Sequence, residues 1–312
     1  MNESEALLHM IPPGKRRPNA YRGGIIQIQI TRACDKACFG CTQGSNLGGK
    51  TGMIPLDLFE DAVVSLKDFF GVVGIFGGNP ALHPKFGELC EILKKHIPYE
   101  RRGLWCNHPK GNGKVMKETF NPSVSNLNVH LDKEAYDEFN RDWPNSGAFG
   151  LDKDSRHSPV FVAMQDVIED EGERWDLISK CDVNQYWSSM IGVFRGELRA
   201  WFCEIAGSQS ILHQWEPDYP DTGVPVVEGW WKAPMQAFAS QARLHCHACG
   251  VPLRGYGSLA QDERGIEQVS RTHAGIYTPK RTQRVVQFVE LRSEVSEQSL
   301  KSFVSYIQNS NK

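Results

Sequence analysis

The stretch IIQIQITRACDKACFGC, residues 25–41, decides how the rest of the chain is read. Its opening, Ile25–Ile30, is a short run rich in a β-branched residue, which predicts a strand. Cys34, Cys38 and Cys41 follow directly, with three and then two residues between them. Thiolates on so short a loop can converge on one metal centre. Cysteines are the usual holders of iron–sulfur clusters, and three ligands for four irons leave one iron open to an amino-acid-like chelator. Zinc is the competing metal, but a structural zinc site closes its shell with four protein ligands.

Downstream, short apolar runs alternate with amphipathic stretches as far as about Val167, the pattern of repeated β–α units around a parallel sheet or barrel. Val72–Phe76, Gly103–Cys106, Leu127–Leu131 and Val160–Met164 read as further strands. Leu56–Phe70, Lys85–His96, Lys114–Phe120 and Lys133–Phe139 read as the helices between them. In the first helix Phe59, Val63, Leu66 and Phe70 recur at helical steps, so one face packs on the sheet. The second strand runs into Gly77-Gly78-Asn79-Pro80. Glycines there let backbone approach a ligand closely, and the proline sets the exit direction.

After Glu169 the texture changes to a charged helical stretch, and a smaller second domain is expected from residue 171. Met190–Phe194 and Glu197–Phe202 flank Arg195-Gly196 as a hairpin. Four more cysteines lie in this part: Cys181, Cys203, Cys246 and Cys249, separated by 21, 42 and two residues. The closing pair is a good metal hook, and His245 and His247 beside Cys246 make a mixed Cys/His zinc site the main rival to a cluster. The tail predicts a strand at Val285–Leu291 and an amphipathic helix over Ser296–Gln308.

The chain has 312 residues, 35 Lys+Arg against 37 Asp+Glu, and a formal charge of -2, so no global field attracts a polyanion. Residues 1–22 read as an N-terminal arm. Lys15, Arg16, Arg17 and Arg22 stand there among prolines and Gly14 in a segment expected to be solvated. With no apolar stretch suited to a signal peptide or membrane span, a soluble cytoplasmic protein is expected. An odd count of nine cysteines, seven in two spaced groups, argues for metal ligands over disulfides. The remaining two, Cys90 and Cys106, read as buried thiols.

Cys34-x3-Cys38-x2-Cys41 after a first strand, with Gly77-Gly78-Asn79-Pro80 one strand later, resembles the radical S-adenosylmethionine (SAM) superfamily. The sequence departs from the usual pattern in having Asn79 in place of Glu, and Gly40 where an aromatic often precedes the third cysteine, with Phe39 one residue earlier. The resemblance implies an α/β fold: a partial (β/α) barrel core over residues 23–170, a smaller α+β domain over 171–260 and an extension over 261–312. It implies a [4Fe–4S] cluster on Cys34, Cys38 and Cys41 that binds SAM, with the Gly77–Pro80 turn meeting the SAM ammonium. Asn107, His130 and Asp132 fall where family members bind ribose and carboxylate, and Arg141 and Arg156 compete as the carboxylate partner. Val160–Met164 falls where adenine is held.

Cys181, Cys203, Cys246 and Cys249 resemble the twitch domain, a shortened relative of the SPASM domain, which holds an auxiliary [4Fe–4S] cluster. If Cys181 is not a ligand, that cluster has an open iron instead. The resemblance further implies a reductant such as flavodoxin or ferredoxin, cleavage of SAM to a 5′-deoxyadenosyl radical, and abstraction of a substrate hydrogen atom. Oxidation, rearrangement or epimerisation of a small molecule or peptide follows, with Cys106 a conceivable hydrogen-atom donor. The basic loop His108–Lys114, together with Lys15–Arg17, keeps open modification or isomerisation of an amino-acid adduct on a nucleotide or DNA base. The rival of another class is a zinc-stabilised binding module.

Overall fold

The computed structural model describes residues 1–16, 24–38, 40–48, 50, 52–152, 159–256, 266–275 and 285–289. Arg156, Phe39 and the expected helix Ser296–Gln308 lie outside the described residues. The main sheet has six strands: β1 (Ile25–Thr31), β2 (Val72–Gly77), β3 (Arg102–Leu104), β4 (Ser188–Phe194), β5 (Glu197–Trp201) and β6 (Val224–Pro225). Their order is β3-β2-β1-β4-β5-β6, with β3, β2, β1 and β4 mutually parallel, β5 antiparallel to β4 and β6 antiparallel to β5. The protein is thus mixed α/β around a parallel-rich sheet. A separate parallel pair joins β7 (Ile266–Ser270) to β8 (Val285–Val289).

The helices include α1 (Glu3–His9), α2 (Leu56–Ser65), α3 (Phe86–His96), α4 (Gly113–Thr119), α5 (Lys133–Asp142), α6 (Met164–Val167), α7 (Glu171–Ser179), α8 (Asp182–Tyr186) and α9 (Glu204–His213). The helices α2, α3, α4 and α5 each pack on the next. Phe59, Ala62 and Val63 from α2, Leu66 just after it, and Leu89, Cys90 and Leu93 from α3 are buried in one apolar core with Ile26, Ile28 and Ile30 of β1. Cys90 is a core thiol, as expected. No helix among the described residues is long and apolar enough to cross a membrane.

Four expectations are corrected. The first helix stops at Ser65 and not at Phe70: the Ser65 hydroxyl donates back to Ala62 O and the Leu66 amide to Val63 O, which tightens the last turn. Phe69 is buried against Trp231 in its place, and Phe70 is exposed. The strand expected at Leu127–Leu131 is reduced to single parallel bridges, Trp105 to Asn126 and Asn128 to Phe149, and positive φ at His130 and Leu131 (49° and 64°) ends it.

Val160–Met164 is no strand. Its backbone and the next residue turn onto the closing cysteine pair and onto β7: Gln165 N donates to His247 O, Ala163 N to Ser270 Oγ and Ser270 N to Phe161 O. Finally, Arg16, expected in solvent, is 2% exposed.

The hairpin forms as read, with Arg195 and Gly196 at φ 50° and 88° as a two-residue turn demands. Its first strand lies parallel against β1, pairing Ile25 with Ser188 through Ile28 with Ile191, so residues beyond 171 complete the sheet that carries the first cysteine loop.

Candidate active site between two cysteine groups

β1 alternates. Ile26, Ile28 and Ile30 point into the core, which turns Gln27 and Gln29 to the opposite face, yet both glutamines are buried. The segment after β3 repeats the device: Leu127 and Val129 are buried in the core, while Asn126, Asn128 and His130 line a cavity together with Gln27. Gln27 and this second polar stripe therefore share one 390 Å³ space.

Cys34, Cys38 and Cys41 line that cavity, and so do Gly77 and Gly78. The two motifs are joined through backbone. Gly78 N donates to Thr31 O at 2.9 Å and Asn79 N to Ala33 O at 2.6 Å. A Cβ on Gly78 would stand 2.2 Å from Ala33 O, and one on Gly77, at φ 153°, would stand 2.0 Å from Thr31 O. The glycines are needed so that the turn can dock against the entry to the cysteine loop.

Cys34 Sγ accepts from Lys36 N and from Asn107 Nδ2, each at 3.4 Å. Burial pushes the Cys34 thiol up to about 11, with the charges of Cys41 and Asp35 adding to it and the two donors opposing it. Three cysteines gathered around one cavity, with Cys34 held from ionising by burial, fit a cationic metal cluster that keeps them as thiolates.

Of the other residues singled out from sequence, Asn107 and His130 line the cavity. Asn79 and Pro80 do not line it. Asn79 is fully buried, its Nδ2 donating to His108 O and its Oδ1 accepting from Ala81 N and from the Cys106 thiol. Asp132 caps α5 by accepting from Ala135 N and pairs with Lys36. Arg141 faces Asp142 on an exposed surface. Cys106 lines the cavity, and its thiol, pushed up to about 12 by burial, also donates to His108 O.

Cys181, Cys203, Cys246 and Cys249 line a second, smaller cavity. Cys181 and Cys203 are the residues before α8 and α9, where helix N-termini favour thiolate. Cys246 ends a π-helical turn, Ala242–Cys246, whose wider winding brings it inward. Burial, and then the charges of the other cysteines, drive Cys203 up to about 12 and Cys246 and Cys249 well above the usual thiol range. Cysteines in so dry a space become thiolates when a bound cation holds them. The donor chemistry fits a cluster, while the enclosed space, 30 Å³, has to widen to admit one.

Of the two histidines of the mixed-zinc reading, His245 has both ring nitrogens engaged and His247 has its Nδ1 engaged. His245 bonds Ser210 Oγ and Gln209 Oε1, and burial holds it neutral with a pKa of about 3. His247 Nδ1 accepts from Arg174 Nε, and its ring meets Trp175 edge-on. Among the described residues no group of three or more His, Cys, Asp or Glu side chains is arranged to hold a single metal ion.

No protein-family model matches the chain, and no curated protein does. Two solved structures of BtrN are similar to it. One is BtrN in complex with AdoMet and 2-DOIA, 15% identical with a TM-score of 0.41, matching 76% of this chain and 91% of that chain. The other is selenomethionine BtrN in an open conformation, 14% identical with a TM-score of 0.37, matching 76% and 90%.

The cavity also contains residues that reading the sequence missed. Gln27, Gln43, Ser45, Asn126, Asn128 and Glu204 all line it. For Gln27, Asn126 and Asn128 a signal existed: polar residues at alternate positions inside apolar strand-like runs mark a buried face that is not core. Gln43 and Glu204 carry no such mark. Gln43 Oε1 is held by Gln29 Nε2 and Ser208 Oγ, and Glu204 by Ser188 Oγ, partners that only the fold supplies.

Proposed function

We propose that this chain is a radical SAM enzyme that oxidises a small molecule bound between two iron–sulfur sites. The observation that carries the reading is the joint placement of Cys34, Cys38, Cys41, Gly77 and Gly78 around one cavity, with backbone bonds tying turn to loop. A [4Fe–4S] cluster held by Cys34, Cys38 and Cys41 together with SAM would supply the one-electron chemistry that removes a hydrogen atom from substrate.

The chain's own residues do the positioning. Asn107 and the Lys36 amide hold Cys34, and Phe76, Trp105 and Phe149 line the cavity with apolar surface that limits water. Three buried acceptors on its wall, Gln27 Oε1, Ser45 Oγ and Asn107 Oδ1, have no partner among the described residues. Glu204 is the one carboxylate of the lining, and no Lys or Arg lines it among the described residues. This chemistry suits a neutral or amino-bearing molecule rich in hydrogen-bond donors and works against a phosphate. Modification of a nucleotide or base keeps one support, the aromatic rings of Trp105, Phe149 and Trp187 on the lining.

Oxidation is preferred over rearrangement because the second cysteine site lies next to the cavity: Val183 lines both, and Cys203 of one adjoins Glu204 of the other. An electron acceptor there can take the second electron from substrate. Anaerobic reconstitution with iron and sulfide, then reductant and SAM, tests the reading. Wild type should form 5′-deoxyadenosine, Cys38→Ala should form none, and Cys249→Ala should keep uncoupled cleavage while losing about half the iron. A protein that binds zinc, takes up no iron and leaves SAM intact is the binding module instead.

A further inference from the structure

Arg16 is a buried cation in a segment whose composition points to solvent. Its Nη1 donates to Val183 O at 3.5 Å and Trp187 O at 3.2 Å, and its Nη2 donates to Phe202 O. These acceptors belong to the two stretches that present Cys181 and Cys203: Val183 and Phe202 both line the second cysteine cavity, and Phe202 immediately precedes Cys203. Backbone packs against Arg16 as well. Gly24, at φ 76°, backs onto it so closely that a Cβ there would lie 2.9 Å from Arg16 Cβ.

Neutral carbonyls alone do not repay burial of a guanidinium. Burial lowers the Arg16 pKa to about 10, and the charges that oppose this shift are those of Cys203, Cys181 and Glu204. The cation is therefore held on the backbone that carries Cys181 and Cys203, within reach of their charge. A cluster held by four thiolates is an anion and gains a further negative charge on reduction, so a fixed nearby cation favours the reduced state.

We propose that Arg16 is a built-in counter-charge of the second cysteine site, raising the reduction potential of the cluster that Cys181, Cys203, Cys246 and Cys249 hold. The inference rests on the auxiliary-cluster reading made above. It gives the N-terminal segment a function in the electron path: it makes the second site a better acceptor for the electron leaving substrate.

The test uses full-length protein carrying Cys34→Ala, Cys38→Ala and Cys41→Ala, so that any remaining cluster is the second one, followed by an EPR-monitored redox titration. Arg16→Gln and Arg16→Met should lower its reduced-to-oxidised ratio at the parental midpoint by at least tenfold, equal to about 59 mV for a one-electron couple. Arg16→Lys, which keeps the charge and loses the forked geometry, should stay near the parent. If both neutral variants fail to load iron while Arg16→Lys loads fully, the counter-charge is supported through assembly. A parental potential in an iron-loaded Arg16→Gln protein overturns the inference, as does an equal shift or equal loss of iron in Arg16→Lys. A triple-cysteine parent that holds no iron overturns the auxiliary-cluster reading, and the inference with it.

Discussion

Gly78 shows how little room single residues have at this site. Its missing Cβ would overlap Ala33 O at 2.2 Å, backbone against backbone, so no side-chain movement can relieve the contact. Gly78→Ala should cost about 1–3 kcal/mol, read as a lower urea midpoint, and weaken iron loading at the first site. Unchanged stability and iron content would contradict this.

His83 makes a different residue-level prediction. Its Nδ1 accepts from Lys85 N and its Nε2 donates to Ile54 O, an arrangement only the neutral ring satisfies. Burial lowers its pKa below the ordinary 6.5. Between the two values the unfolded chain binds a proton that the native state refuses, so stability falls as pH drops through 6.5 towards the lower native value. The urea midpoint should fall from pH 7.5 to 5.5, and His83→Asn should show a smaller fall; equal slopes would count against the assignment.

At the scale of elements, the segment read as the strand Val160–Met164 acts as a buttress. Its carbonyls approach Gly250 so closely that a Cβ there would lie 2.1 Å from Pro159 O and 2.4 Å from Val162 O, and Gly250 follows Cys249 directly. Gly250→Ala should therefore disturb the second cysteine site and spare the first. The expected outcome is loss of about half the iron with uncoupled SAM cleavage retained, and full iron content would show that the buttress is dispensable. The same apolar run that suggests a strand serves here as a packed turn, because burial alone does not say which neighbour provides it.

For the whole molecule, the position of β4 matters most. It pairs with β1 on the side away from β2, and Trp175, Met190, Trp201 and Phe202 share one apolar core with Phe59 and Leu93. A fragment of residues 1–170 would leave β1 as an apolar edge and lose part of that core. Such a fragment should aggregate or show no cooperative unfolding, whereas the full chain should unfold with its hairpin and cysteine loop together. A soluble, cooperatively folding fragment would make residues 1–170 an independent domain.

Local order was legible in the chain itself. The cysteine spacing, the Gly77–Pro80 turn, the strand-then-loop succession of β1 and the Arg195–Gly196 turn are set by interactions within a few residues, which composition and periodicity record. Long-range partners were not. That β4 lies beside β1, that Glu204 reaches the cavity of the first cysteines and that Arg16 is buried near the second all depend on contacts between segments some 150 residues or more apart in sequence. No local pattern encodes such a pairing: an arginine among prolines reads as solvated until a distant carbonyl cage and distant thiolates give its charge somewhere to go.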